Sequence, residues 1–434
     1  MYTILRDLLK LRKNLHINYD ELIDNQMSMT RNIIKHAYAN SYFYKNKFDE
    51  AHIKPNNINR LEDISKIPFT KKEEIQRMPL NNIISNNYDI NNAVIRSTSG
   101  STGIPLVVYV NKGGVSIDSA VWLRALFENG LKLLDKVAVL PNPNIYSRMI
   151  NQKKTYQKLG IMRRKYINVL DDPQTQLSLL EKYKPNIIRS YPSYLTVLLN
   201  EKNRLKNVKP RSVFTTAELL DSESRKLITN SFDTELFDYY ASEEFNLIAW
   251  ECSEHSGYHV NIDNLLVEIV SKHGESLPPG EQGEIVITSL SNYAMPMIRY
   301  KIGDVGKIVE DKCSCGVTFP LLQVLEGRKD DFLISPNGSI ISPRTLSDIF
   351  QYSLRTSLGI NQFKIIQEKI NMLKIYLVVD NNYDKLDTTL AQVEKEVKKV
   401  LSNEVNIEYV FVDKIKQDTS GKLRKIISHV HPSS

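Results

Sequence analysis

From Ala93 onward the chain repeats one pattern, a short apolar run closed by turn residues and followed by a stretch with helical spacing. The runs AVIRS, LVVYV, KVAVL and NIIRS alternate with helical segments such as Ser116–Leu134 and Ser193–Leu205. Apolar runs this short, bounded by turn signals, read as strands, and strands that alternate with helices build an α/β sandwich. No other feature restricts the fold as strongly.

The flanks differ from this middle. Residues 20–50 carry apolar side chains at helical spacing and residues 51–92 read as loops joining short helices, so residues 1–92 form a helical N-terminal region. Over residues 260–327 the strands LLVEIV and GEIVIT, joined by the turn-rich HGESLPPGEQG, suggest a small β subdomain that completes a core spanning 93–327. After it come the strands FKIIQ and LKIYLVV, a charged helix over Lys385–Leu401 and the strand IEYVFV, which suggest a separate α+β lid over 328–434. A length of 434 residues, too great for one ordinary core, agrees with such a division.

Composition excludes several function classes. Hydrophobic residues make up 41% and charged residues 25%, with mean hydropathy −0.32, which is the balance of a globular protein. Net charge +7 arises from 57 basic and 50 acidic residues spread along the chain, without a dense basic patch interleaved with aromatics, so nucleic acid is not an expected partner. No apolar run approaches the length of a membrane span. Met1–Leu15 carries charges among its apolar positions and is not expected to be a signal peptide; it reads as a helix docking a Leu5, Leu8, Leu9 stripe on the core rather than as a basic amphipathic helix lying on a membrane. Three cysteines, an odd number, argue for a reducing compartment, and the cytoplasm is the expected location.

The segment Arg96–Pro105, R-S-T-S-G-S-T-G-I-P, lies between two expected strands. Gly100 and Gly103 let the backbone bend toward a ligand, while Ser97, Thr98, Ser99, Ser101 and Thr102 supply hydroxyls and N–H donors able to surround a polyphosphate. A Ser/Thr/Gly run alone is more often a plain surface loop, and this one lacks the Walker order. Its company gives it weight. T-S-G-S-T-G-x-P resembles the phosphate loop of the acyl-adenylate-forming superfamily of acyl-CoA synthetases, luciferases and peptide-synthetase adenylation domains. Leu106 stands where many members have Lys, as in the phenylacetate-CoA ligase branch.

Further resemblances follow in the family's order. Tyr240-Ala241-Ser242-Glu243-Glu244 resembles Y-G-x-x-E, and a register from Tyr239 would select Glu243 in place of Glu244. Arg299–Asp304 resembles R-Y-x-T-G-D with Ile302 at the Thr. Gly327-Arg328-Lys329-Asp330-Asp331 resembles the G-R-x-D-D hinge, and Asp418–Lys422 the C-terminal catalytic-lysine motif. IRSYPSYL, FTTAELL and AWEC…GYHV…CSCG resemble the phenylacetate-CoA ligase relatives of capsule and polysaccharide biosynthesis.

The resemblance implies a large adenylate-forming domain with a mobile lid. It further implies an ATP-dependent reaction in which a carboxylic acid becomes an acyl-AMP with release of pyrophosphate and then passes to an acceptor. That acceptor would be coenzyme A, as candidate co-substrate, or an amine or hydroxyl. The nucleotide would be bound by Thr98, Ser99, Gly100, Ser101, Thr102, Gly103, Ala217, Glu218, Tyr240, Ala241, Ser242, Asp304, Arg328 and Lys422. Glu244 would hold Mg²⁺, and Lys422, Glu244 and Thr102 would be catalytic. Tyr191, Tyr194, Tyr240 and Ser242 would meet the acid, and the lid would pivot at Asp330. Each residue singly reads as an ordinary turn or surface group. A nucleotidyltransferase that leaves AMP on its substrate, like the coenzyme F390 synthetases, is the alternative enzyme class, and a homodimer is compatible with the sequence.

All three cysteines fall in one spacing, Cys252-x6-His259 followed by Cys313-x-Cys315. Three thiolates and one imidazole suit tetrahedral Zn²⁺ with no open position, hence a structural site. Buried free thiols beside a surface His are the competing reading, because C-x-C is a weaker signal than paired C-x2-C.

Overall fold

A computed structural model describes residues 2–98, 106–141, 145–146, 149–150, 155–169, 171–199, 205–326, 333–338, 340–341, 346, 350, 360–379, 386–415 and 425–430. Its helices are α1 (Tyr2–Asn14), α2 (Tyr19–Asn40), α3 (Tyr42–Glu50), α4 (Lys72–Arg77), α5 (Leu80–Ile83), α6 (Lys112–Glu128), α7 (Thr155–Lys158), α8 (Pro173–Tyr183), α9 (Pro192–Leu198), α10 (Ser222–Phe232) and α11 (Leu386–Val400). The strands expected from the apolar runs are present, and the mixed α/β class holds. The chain divides into two compact units, one of Met1–Lys132 with Phe237–Leu325, the other of Leu133–Leu236 with Glu326–Ser434.

In the first unit β1 (Val94–Ser97) and β2 (Val107–Val110) form an antiparallel hairpin. The larger sheet contains β7 (Glu235–Ser242), β8 (Asn246–Glu251), β9 (Tyr258–Val260), β10 (Leu265–Val270), β11 (Gly283–Ser289), β12 (Tyr300–Ile308) and β13 (Leu321–Glu326), in the order β10-β11-β12-β13-β9-β8-β7. α2 and α3 bury Ile33, Ala37, Tyr44 and Phe48 against Leu266, Leu290 and Ile298 of this sheet region. Arg299 fastens the same junction. Its guanidinium, 1% exposed, donates to Ser65 O and Ile67 O at 2.7 Å each and pairs with Glu268 at 3.0 Å. Thr70 bridges Tyr300 on the next residue.

α1 docks with a different face from the one expected. Leu8, Leu11 and Leu15 are buried, whereas Leu5 and Leu9 are 55% and 58% exposed. Partners on α6 set this phase. Ser116 donates to Asp7, Arg12 pairs with Glu128, and the fully buried Arg124 donates to Leu11 O at 2.8 Å while pairing with Asp263 at 2.6 Å.

The second unit begins with four parallel strands, β3 (Lys136–Val139), β4 (Arg163–Tyr166), β5 (Ile187–Ser190) and β6 (Ser212–Thr216), in the order β6-β5-β3-β4. α8, α9 and α10 cover them through Leu177, Leu180, Leu195, Leu198 and Ile228, all essentially without exposure. Beyond residue 326 come the short pair β14 (Leu333–Ile334) and β15 (Ile340–Ile341), then β16 (Ile360–Lys369), β17 (Met372–Val379), β18 (Asn406–Phe411) and β19 (Ile426–Ser428). The last four make a sheet in the order β18-β17-β16-β19 whose core, Ile365, Ile375 and Leu377, packs with Val393 and Val397 of α11.

Candidate functional site

Within the first unit two motif segments meet. β12 pairs with β11 from Tyr300↔Ile287 and Lys301↔Val286, then resumes at Val305↔Glu284. Ile302, Gly303 and Asp304 therefore form a bulge, and Gly303 takes φ +89°, which an L side chain adopts only under strain. The bulge turns Asp304 toward β7, where the Tyr240 hydroxyl donates to Asp304 Oδ2 at 2.6 Å. That length is typical of a hydrogen bond to an ionised carboxylate. β7 has its own register shift between Tyr240 and Ala241. Just past its end the Ser242 hydroxyl accepts the Phe245 N–H at 3.1 Å, closing the turn that carries Glu243 and Glu244. Tyr300 then donates to Glu244 at 3.3 Å and packs its ring on Phe245. Glu243 is exposed and Glu244 half-buried.

Tyr300 was not among the expected site residues. It stands inside the R-Y-x-T-G-D resemblance, which was the signal that could have found it, and its contacts with Glu244 and Phe245 are what bring it to the site.

Thr98 is 8% exposed and closes the base of the Ser/Thr/Gly loop. Its N–H donates to Leu106 O, and its hydroxyl accepts the Leu106 N–H at 2.9 Å. The other expected loop residues, Ser99, Gly100, Ser101, Thr102 and Gly103, lie outside the described residues, as do Arg328, Asp330 and Lys422.

In the second unit the segments Ser190–Tyr194 and Ala217–Glu218 follow the C-terminal ends of β5 and β6, the end where ligands of open α/β sheets bind. Ala217 holds φ +70°, a conformation that glycine takes without cost. Glu218 reaches across to α9, accepting the Ser193 N–H at 3.0 Å and the Ser193 hydroxyl at 2.9 Å. Tyr191 and Tyr194 pack with ring centroids 5.4 Å apart and planes tilted by 43°, and are 5% and 4% exposed within the apolar cluster under α8 to α10. Lys425, at the head of β19, lies 3.5 Å from Asp221, which caps the N-terminus of α10.

A third constellation fits a metal. The ligating atoms of Cys252, His259, Cys313 and Cys315 all lie within 4.8 Å of one another. Cys252 Sγ and Cys313 Sγ are 3.6 Å apart, far from a covalent disulfide, and Cys315 Sγ is 3.2 Å from His259 Nε2. A tetrahedron with metal–sulfur bonds of roughly 2.3 Å has edges of roughly 3.8 Å, close to these separations. His259 is fully buried and directs Nδ1 at Phe319 O, 3.1 Å away, which leaves the Nε2 lone pair for a cation.

Burial pushes the Cys252 thiol up to about 12 and raises Cys315, and burial also lowers His259, which favours its neutral imidazole. Burial works to raise Cys313 too, but hydrogen bonds from the Cys315 N–H and thiol, Ser256 and Cys252 overcome it and hold this thiol below its ordinary value. A divalent cation bound by such a cluster would stabilise its thiols as thiolates.

Residues 333–429 match the model of the CapK C-terminal domain. Over 381 residues the chain is 27% identical to a phenylacetate-coenzyme A ligase of Pseudomonas putida, covering 85% of this chain and 81% of that protein. It is 24% identical to Protein CapK of Staphylococcus aureus over 433 residues, covering 95% and 90% respectively. Among solved structures, a 2-hydroxyisobutyryl-CoA ligase in its postadenylation state superposes with a TM-score of 0.77 at 19% identity, covering 96% of this chain and 91% of that one. Among the described residues no helix is long and apolar enough to cross a membrane.

Proposed function

We propose that this chain, related to the phenylacetate-CoA ligases and CapK within the adenylate-forming enzymes, is an ATP-dependent ligase that activates a carboxylic acid. The observation that carries this reading is the meeting of two motif segments, in which Tyr240 donates to Asp304, 64 positions away on a bulge that a glycine makes possible, and Tyr300 donates to Glu244.

A carboxylate oxygen of the acid attacks the α-phosphorus of ATP, the bond to the bridging oxygen breaks, and pyrophosphate departs with that electron pair. The acyl-AMP then yields its acyl group to a nucleophile, which expels AMP. We assign the acceptor as a thiol of the coenzyme A type, since several of the relatives are named for that chemistry.

The obstacle in the first step is an anion approaching a polyanion, so the site must supply positive charge and fixed dipoles. Asp304, oriented by Tyr240, accepts both ribose hydroxyls. Glu244, oriented by Tyr300, would hold Mg²⁺, which would screen the phosphates. Ser99, Gly100, Ser101, Thr102 and Gly103 donate to the phosphates, and Lys422 neutralises charge on the α-phosphate as pyrophosphate leaves. Arg328 and Ala217 border the nucleotide, and Asp330 is the pivot of the lid. Glu218 acts by holding Ser193 and the start of α9, beside Tyr191 and Tyr194, which border the acid. Cys252, His259, Cys313 and Cys315 would hold a structural zinc ion, which would tie together the end of β8, β9 and the approach to β13.

The decisive experiment compares half-reactions in Lys422→Ala. Carboxylate-dependent exchange of pyrophosphate into ATP should fall at least about 100-fold, while transfer from supplied acyl-AMP to coenzyme A stays within a few fold. Equal loss of both activities, or a stable adenylylated product in the wild type, would overturn the assignment.

A further inference from the structure

Two turns enter the parallel sheet of the second unit side by side. Leu133 and Leu134 precede β3, and Leu159 precedes β4. The Met162 N–H donates to Leu133 O at 2.6 Å and the Arg163 guanidinium to Leu134 O at 2.8 Å, so the turns touch. Leu133, Leu134 and Leu159 are 57%, 68% and 74% exposed. Turn positions ordinarily hold polar or small residues, and leucines this exposed add little to the core. One such side chain needs no explanation, but three on adjoining turns mark a contact surface.

The same edge is cationic. The stretch 155–166 holds Lys158, Arg163, Arg164 and Lys165 and no carboxylate, and Lys158 and Lys165 are exposed. Backbone bonds continue the row. The Asn186 N–H donates to Lys136 O at 2.8 Å and the Arg211 N–H to Asn186 O at 2.7 Å, which brings in Lys136, Arg211 and the exposed Lys184 that ends α8. The carboxylate within this row, Asp135, is 5% exposed and already pairs with Arg211 at 2.5 Å.

We propose that this N-terminal edge of the strands β4, β3, β5 and β6 docks on an anionic lipid bilayer, the three leucines entering the acyl boundary and the surrounding cations meeting lipid phosphates. Charge complementarity selects this occupant, because a small apolar insertion supplemented by lysine and arginine is the two-part signal that holds a protein on an anionic membrane. A protein partner fits less well, since three leucines offer on the order of 400 Å² against the roughly 800 Å² per partner of a stable interface. The segments Ser190–Tyr194 and Ala217–Glu218 lie at the opposite, C-terminal ends of β5 and β6, so docking leaves the ligand end of this sheet open. The inference stands apart from the reaction assigned above.

The test is cosedimentation of the full chain with vesicles of phosphatidylcholine, with and without one-third phosphatidylglycerol. Binding to the anionic vesicles should be at least about tenfold tighter than to phosphatidylcholine alone, and the gain should vanish in high salt. Leu134→Asn with Leu159→Asn should weaken it at least about tenfold without changing the melting temperature. Leu5→Asn with Leu9→Asn, on the exposed face of α1, should leave it intact. The proposal fails if the chain ignores anionic vesicles, if the turn variant binds like wild type, or if binding is lost through α1 instead. It also fails if light scattering shows a dimer that the turn variant splits, because a second copy would then cover the leucines.

Discussion

Removing a single oxygen, in Tyr240→Phe, tests the nucleotide site with little disturbance of the fold. The phenol lies 2.6 Å from Asp304 Oδ2, and both residues are half-buried. Hydrogen bonds to charged groups contribute about 1.5–3 kcal/mol, and partial access of water places this one near the lower end, about 1.5 kcal/mol. If Asp304 must be aimed at the ribose, most of that energy is lost from ATP binding, a weakening of about tenfold. Calorimetric titration with ATP and the KM for ATP in pyrophosphate exchange should both show it, with kcat changed by no more than a few fold. Asp304→Ala, which deletes the acceptor itself, should cost about 100-fold. A folded Tyr240→Phe with unchanged ATP affinity, next to an Asp304→Ala that fails to bind, would show that the phenol does not orient the carboxylate. Unchanged affinity in both would place the nucleotide elsewhere.

Protein prepared without chelator should carry one equivalent of zinc by elemental analysis, and Cys315→Ser should lose the metal and melt at lower temperature; near-zero zinc in the wild type would remove the site. Arg299→Met should destabilise by about 3–5 kcal/mol in denaturant titration, because Glu268 keeps a buried charge without its partner. Burial already raises the Glu268 carboxyl against the opposing pull of Arg299. A folded state that binds this proton more tightly than the unfolded chain loses stability as pH rises, so the deficit should shrink as pH falls from 7 toward 5. A pH-independent deficit would count against this origin. Ala217→Gly should raise stability by about 0.5–1 kcal/mol by releasing a left-handed alanine, read from the same titration; a loss of stability would show that the alanine methyl group packs usefully.

The strands were legible because burial on both faces selects continuous apolar runs. Ile187 and Ile188 of β5 and Ile285, Val286 and Ile287 of β11 are wholly buried. The phase of α1 was not, since Leu5, Leu8, Leu9 and Leu11 admit two stripes and the choice depends on Arg124, more than a hundred positions away. At the site, residue types were legible but their immediate partners were not. The bond between Glu218 and Ser193 depends on where two strands end, and the roles of Thr98 and Ser242 in closing turns depend on backbone geometry that composition does not encode. Alanine at 217 and 241 concealed two positions of irregular backbone that glycine would have announced. The grouping of Cys252, His259, Cys313 and Cys315 was readable because it uses every cysteine in the chain.

The way the first seventy residues are held has a consequence for biosynthesis. Gln26 reaches Ile262 and Leu265, Tyr44 receives the Ile298 N–H, Thr70 bonds Arg299, and Leu15 accepts from Thr318. On a ribosome adding roughly 5–20 residues each second, Leu15 waits on the order of 15–60 s for Thr318 to emerge. α1 can close early on α6, but throughout that interval α2 and α3 lack the sheet surface that they bury, so chaperone occupancy during translation should concentrate on these two helices and end abruptly once β12 and the approach to β13 have been made.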